Sequence, residues 1–469
     1  IQGVDSRLRW RSVRIPYSAL PLAALGFGAL SGFPLDEVWH HFYGVDVTMW
    51  GPTHLIMIAG ASFTPIALWL VLAEARIGPN DGEVARLTHV ILAVAMLTGL
   101  STFQGEFDFG VPQFQLMYQP VLIAAAAGTG LVAARLVLGT GGALVAAIGF
   151  IALRGLLAAL IGPALGLTSP TFPLYLAAAI GIELVAAAFR ERWPLGFAAA
   201  AGLTVGTVGV AGEWALGALW GRHVWTASLL PAVVLLSVLA AVAGAVIGTA
   251  LAASARRKPL SVRSPALVGA GLGLVLALIF PFPRTATPAQ ARLDVQAAPG
   301  GQAMVRVQLD PANAASEARW FETIAWQGGG LRLIPMVQEG PGRYVTERAV
   351  PVSGEWKTLI RLHRGSDLMA VPVYMPADPE IGAREIPLGD RTAAFTRDTA
   401  LLMREAKGGP PMVARVIYGA LLIIVGTWIA LLAFAAAKNR PEQQRRRTPA
   451  WAGRPLRRDA TVRSELPSA

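Results

Sequence analysis

The chain has 469 residues, 54% hydrophobic and 15% charged, with a net charge of +11 and no cysteine. Soluble domains carry about 25% charged residues, so this composition, with repeated apolar runs of about 20 residues, excludes an ordinary soluble protein and indicates a polytopic membrane protein. The lack of cysteine excludes disulfides, thiolate zinc sites and cysteine-ligated blue copper; the basic residues sit at the ends of apolar runs and in the tail, which is membrane topology rather than a nucleic-acid surface.

The N-terminal "SRLRWRSVR" runs into the first apolar segment with no small-residue cleavage site, so a cleavable signal is not expected. Ten spans follow, at about 16–34, 49–73, 86–104, 115–137, 143–166, 172–189, 195–219, 226–252, 264–282 and 412–437. Each suffices, at about 1.5 Å per residue, to cross roughly 30 Å of hydrocarbon. Arg7, Arg9, Arg11 and Arg14, then Arg76 and Arg86, Arg190 and Arg192, and Arg256, Arg257, Lys258 and Arg263 mark one side as cytoplasmic. Both termini then lie in the cytoplasm of a multi-pass cell-membrane protein, and residues 35–48, 105–114, 167–171, 220–225 and 283–411 face outward. Arg222 is the exception to the pattern.

Residues 1–282 read as a nine-span bundle packed through small residues. The segment 283–394 alternates instead, as in "MVRVQLD", "RWFETIAWQ" and "EWKTLIRLHRG", with breaks at "GPG" and "RGSD". This period predicts an extracytoplasmic Ig-like β-sandwich between spans nine and ten. Residues 395–411 read as a short amphipathic helix, 412–437 as the last span, and the basic tail 438–469 as disordered.

Ionisable groups inside a membrane need a reason. Arg154 lies 15 residues before the turn expected near residue 169 and Glu183 lies 14 after it. The matching depth predicts an intramembrane ion pair, either structural or part of a passage for protons or substrate. Glu213 lies in span seven with nothing in its own helix to neutralise it. His89 reads as an interface histidine rather than a ligand.

The stretch "FPLDEVWHHFYGVDVTMWGPTHLIM" (residues 33–57) holds three of the six histidines. On a helix, Asp36 and His40 share a side and His41 points away. His54 lies about a turn and a half into span two. Two imidazoles and a carboxylate suit copper, zinc or non-haem iron. Asp46, Glu106, Asp108 and Glu213 are further candidate donors, and Gln104 and His223 lie on the same face. The plainer reading makes Asp36 a helix N-cap and Trp39, Tyr43 and Trp50 an interfacial aromatic belt. No haem or nucleotide motif is seen.

"DEVWH" followed by "VDVTMWGPTH" resembles the metal-binding helix region of the C subunit of particulate methane and ammonia monooxygenases. The resemblance implies a copper site in the membrane formed by Asp36, His40 and His54. Thirteen residues separate the two histidines here, one more than the family pattern. The β segment resembles the small extracytoplasmic modules of copper-resistance membrane proteins, through "GPGRYVTERAVPVSGEWKTLIRL". Within it His363, Met336, Met369 and Met375 read as strand or core residues rather than as ligands.

Three readings follow. The first is a membrane metalloprotein with an outward-facing Asp/His site, copper first and zinc or iron as alternatives, doing oxidation chemistry or copper handling. The second is a non-catalytic accessory subunit of a membrane complex, with the β domain docking an extracytoplasmic partner. The third is a transporter with Arg154, Glu183 and Glu213 lining a path, against which stands the lack of an inverted repeat.

Overall fold

The computed structural model describes residues 7–10, 13–44, 48–189, 193–258, 264–279, 288–328, 330–405 and 408–439. The apolar runs form helices α1 (Ala19–Tyr43), α2 (Pro52–Glu74), α3 (Glu83–Thr102), α4 (Gly105–Phe109), α5 (Tyr118–Leu138), α6 (Gly142–Ala159), α7 (Leu176–Phe189), α8 (Pro194–Thr204), α9 (Val210–Trp220), α10 (Leu230–Ala255) and α11 (Ser264–Ile279). After the β domain come the single turn α12 (Thr399–Leu402) and α13 (Pro411–Lys438). A hairpin of β1 (Arg7–Trp10) and β2 (Val13–Pro16) precedes α1.

Where ten spans were expected, eight helices among the described residues are long and apolar enough to cross a membrane. A π-turn joins α8 to α9 as one of them, and another extends α6 to Ala164. The expected sixth and ninth spans are shorter apolar helices. Span six is cut because "SPTFP" forms no helix before α7, with Pro173 unable to continue one.

Burial is greatest in α5, which packs along α10. The contact depends on missing side chains. A Cβ on Gly128 would stand 2.4 Å from the Ala241 carbonyl oxygen, and one on Gly248 would stand 2.5 Å from that of Thr129. Backbones this close are how helices associate in lipid, where hydrophobic driving force is lost. A second cluster, with Leu25, Ile56 and Trp428, ties α1, α2 and α13 together, and the Trp428 indole N–H donates to the Ala24 carbonyl at 3.1 Å.

The β domain contains β3 (Gln290–Ala298), β4 (Gln302–Asp310), β5 (Ala318–Gln327), β6 (Gly330–Gly340), β7 (Arg343–Thr346), β8 (Val350–Pro351), β9 (Lys357–Arg364), β10 (Asp367–Tyr374), β11 (Arg391–Ala394) and β12 (Thr396–Arg397). In place of two independent Ig-like sheets, one antiparallel sheet runs β11-β3-β4-β7-β6-β5-β9-β10-β12, with β8 on β4. The first half of β6 pairs with β5 and the second with β7, so one strand serves both layers. The end strands β11 and β12 are separated by Phe395 alone, which leaves the sheet nearly closed around Leu293, Val305, Ile334, Ile360 and Val371. Closure removes most of the edge that an open sheet exposes.

The amphipathic helix expected at 395–411 is reduced to α12. Residues 396–397 are spent as a strand, and Gly408, Gly409 and Pro410 stop a helix before α13. The basic tail beyond Asn439 lies outside the described residues.

The β domain meets the helices at the end that carries α4. Arg361, fully buried, donates to Asp398 Oδ2 at 2.6 and 3.1 Å and reaches the Pro112 carbonyl at 2.6 Å. Two residues along the same strand, His363 Nε2 accepts the Leu116 N–H at 3.1 Å. Trp320 lies between His363 and His223, with ring centroids 4.4 and 4.5 Å away.

Candidate metal centre

Asp36 and His40 are one turn apart near the C-terminal end of α1, and His54 is the third residue of α2. α1 continues through Pro34 as one helix, so Asp36 is not the N-cap that its sequence context suggested. Gly51 is extended and Pro52 takes the first helical position, where its missing N–H costs nothing. His54 therefore sits in the first turn of α2, earlier than expected, and faces the end of α1.

Asp36 Oδ2 is 3.7 Å from His40 Nε2 and 3.4 Å from His54 Nε2. All three donor atoms lie within 4.8 Å of one another. The imidazole planes cross at 79°, so the rings approach the carboxylate from different directions. His41 is exposed and turned away.

Two of the three donors are oriented by hydrogen bonds. His54 Nδ1 lies 2.7 Å from the Thr48 carbonyl oxygen, which can only accept. Nδ1 therefore carries the proton, and Nε2 offers its lone pair to the centre. Asp36 Oδ1 accepts the Thr53 hydroxyl at 2.5 Å, which leaves Oδ2 for the imidazoles. His40 Nε2 is buried with no hydrogen-bond partner. Buried polar atoms are nearly always satisfied, so this nitrogen calls for a ligand.

Behind the histidines stands Glu106. Its Oε1 accepts the Thr48 hydroxyl at 2.6 Å and the Met49 N–H at 2.9 Å, and its Oε2 accepts the Gln113 N–H at 3.2 Å. It holds the backbone whose carbonyl holds His54. Glu106 is thus a support for the centre, not a donor in it. Such outer partners fix ligand orientation.

The other candidate donors are placed elsewhere. Asp108 accepts from Gln104 at 2.7 Å and pairs with Arg154. Glu213 accepts the N–H groups of Leu174 and Tyr175 at 3.0 and 2.5 Å, holding the non-helical stretch before α7. Asp46 lies outside the described residues. His89 Nε2 donates to the Ile77 carbonyl at 3.1 Å. His363 has both ring nitrogens engaged, Nδ1–H donating to the Asp367 carbonyl at 3.1 Å. Met336 accepts the Thr323 hydroxyl, and Met369 and Met375 are buried.

The expected pair of Arg154 with Glu183 is not formed. Arg154 pairs with Asp108, while Glu183 pairs with Arg135 at 2.8 Å and accepts the N–H groups of Gly141 and Ala143 at the start of α6. The depth count assumed helical rise on both sides of the turn. The residues before α7 are not helical, so a count at about 1.5 Å per residue fails there, and Glu183 lies at the start of α6, away from Arg154. Arg135, near the C-terminal end of α5, was not singled out by the sequence; its place one short turn before α6 is the signal that it faces that end.

An ion bound by nitrogen and oxygen at about 2.0–2.2 Å in tetrahedral geometry has donors roughly 3.3 Å apart. The Asp36–His54 separation already meets this, and His40 needs only a small inward movement. Three donors leave at least one coordination position open. Compared with known protein families, curated proteins and solved structures, the chain matches none.

Proposed function

We propose that the protein is an integral membrane metalloprotein whose centre of Asp36, His40 and His54 binds copper for oxidation chemistry or copper handling. The observation that supports it is the convergence of Asp36 Oδ2, His40 Nε2 and His54 Nε2, with the His54 tautomer set and His40 Nε2 lacking any other partner. Two imidazoles and a carboxylate suit copper, zinc and non-haem iron; copper is put first on the resemblance of residues 36–54 to the monooxygenase C subunit. The arginine pattern puts this end of the helices, with the β domain, outside the cytoplasm. A copper ion held by three donors supplies Lewis-acid or one-electron chemistry at its open positions. The chain's own contribution is to aim the donors: Thr48 and Glu106 for His54, Thr53 for Asp36.

Elemental analysis of the purified full chain tests this. About one copper per chain is expected, lost in both His40→Ala and His54→Ala while the helical circular-dichroism signal is retained. Protein that carries no copper, or the same copper in both variants, overturns it. Zinc or iron at one per chain, lost in the same variants, keeps the centre and corrects the ion.

A further inference from the structure

Where the β domain meets the helices there is a cavity of about 370 Å³. One wall has Phe109, Ile161 and Leu167 from the helical part, and the other has Trp326 and Leu331 of the sheet with Leu402 of α12. Gln113, Thr168 and Gln327 are the polar residues of the lining. An apolar hollow of this size is not a place that water fills well. A volume near 30 Å³ belongs to a water molecule, and a methylene is of similar size, so the hollow matches a chain of roughly ten carbons.

The groove continues a surface that already faces lipid. The span formed by α6 and its π-turn is among the least buried, and Leu156, Leu160 and Leu165 on it are 68%, 50% and 60% exposed. Leu167, in the groove itself, is 45% exposed. An acyl chain lying along α6 would enter beneath the sheet without crossing polar surface.

Next to the lining residues, though itself on the adjoining hollow, stands Arg222, the one arginine that breaks the charge pattern of the loops. One Nη donates to the Ser169 carbonyl at 2.5 Å, next to Thr168 of the lining. Its Cδ lies against Gly110, between Phe109 and Val111, and the Leu331 side chain crowds the same glycine. Its Nε is buried and has no hydrogen-bond partner, and among the described residues no carboxylate pairs with it. An arginine with a spare N–H beside an apolar slot is the pairing that an amphiphile with an anionic head would satisfy.

We propose that this groove binds an anionic phospholipid of the surrounding bilayer, with one acyl chain between α6 and β6 and the phosphate on Arg222. The lipid would fill the seam between the β domain and the helices and complete their contact. Arginine meets phosphate through two parallel N–H bonds, which gives preference for an anionic head rather than retention of any lipid.

The full chain, purified in mild detergent and stripped of lipid, is offered phosphatidylglycerol and phosphatidylcholine of identical chains, and bound lipid is counted by native mass spectrometry. Wild type is expected to retain one phosphatidylglycerol with about tenfold preference, the equivalent of one charge-assisted bond. Arg222→Gln should lose the preference. Leu331→Trp and Thr168→Trp, which fill the slot from opposite walls, should lose the bound lipid of either kind. Equal retention of the two lipids by wild type overturns the phosphate contact. Unchanged retention in a folded slot-filling variant overturns the groove. Should both tryptophan variants fail to fold, competition on wild type by single-chain lysophosphatidylglycerol decides instead: displacement supports the groove and its failure overturns it.

Discussion

The chain uses histidine in two ways, and the contrast lies in what the ring nitrogens face. In the seam under the β domain, His363 spends Nδ1 on the Asp367 carbonyl and Nε2 on the Leu116 N–H. It is a tie between two backbones with nothing left for a ligand. Between α1 and α2, His54 spends only Nδ1 on backbone and His40 Nε2 has no partner, and both Nε2 atoms converge on Asp36. Burial does not separate the two cases, since each group is at least partly enclosed. The difference is whether the fold has already satisfied the nitrogen.

The contrast breaks if the two regions respond alike to mutation. Arg361→Ala should give the largest effect on stability. It leaves Asp398 buried without its cation, a change worth about 3–5 kcal/mol, and metal per folded chain should stay constant. A fall in the unfolding midpoint of detergent-solubilised protein measures it; an unchanged midpoint means the seam does not hold the domain. His363→Asn should cost about 1–3 kcal/mol by orphaning the Leu116 N–H, again with no loss of metal. Glu106→Gln works the other way. The amide supplies one acceptor oxygen where the carboxylate supplies two, so the backbone at 48–49 or at 113 loses its bond. Copper affinity should weaken about 10–100-fold, read by competition with a chelator, while the unfolding midpoint moves little. If Glu106→Gln unfolds the chain and leaves affinity intact, Glu106 belongs with the seam and not with the centre.

The sequence carried the elements whose signal is local. Asp36 and His40 are one helical turn apart, so their shared face followed from spacing alone, and alternation from Met304 to Tyr374 marked the strands before any partner was known. What was not legible depended on how segments meet. His54 was named from the sequence, but what aims it was not: α2 starts at Pro52 rather than near 49, and the Thr48 carbonyl turns the ring. Glu106 stood out as an acid at the right end, but its role depends on hydrogen bonds to Thr48 and Met49, more than fifty residues away. The Arg154–Glu183 expectation failed through the non-helical residues before α7 that a helical count ignores. The sheet's continuity through β6 lay beyond the sequence because a strand that changes partners midway reads the same as one that does not.

The smallest expected effect concerns pH, and it sharpens the comparison from the seam's side. Burial holds His363 down to about 4 and His223 down to about 3, in each case aided by the Arg361 charge. Burial pushes Glu322, whose Oε1 is 3.6 Å from His223 Nδ1, up to about 7 against the pull of Arg361. A histidine lowered from 6.5 contributes stability that is whole above pH 6.5 and is lost as pH falls below it. A glutamate raised from 4.5 contributes stability that is whole below pH 4.5 and is lost as pH rises towards 7. Between those limits these two histidines oppose this glutamate, so the three seam groups together take up one proton on unfolding, a contribution of about 1.4 kcal/mol of stability lost per pH unit on acidification. Relative to wild type, removing His363 as His363→Asn should lessen the loss of stability on acidification by about 1.4 kcal/mol per pH unit, and removing the opposing group as Glu322→Gln should increase it by about the same amount. Urea unfolding followed by tryptophan fluorescence between about pH 6.5 and 5 measures all three slopes. If the two variants share the wild-type slope, the seam histidines do not titrate with unfolding, and the tie of His363 to Leu116 is not what holds the β domain in place.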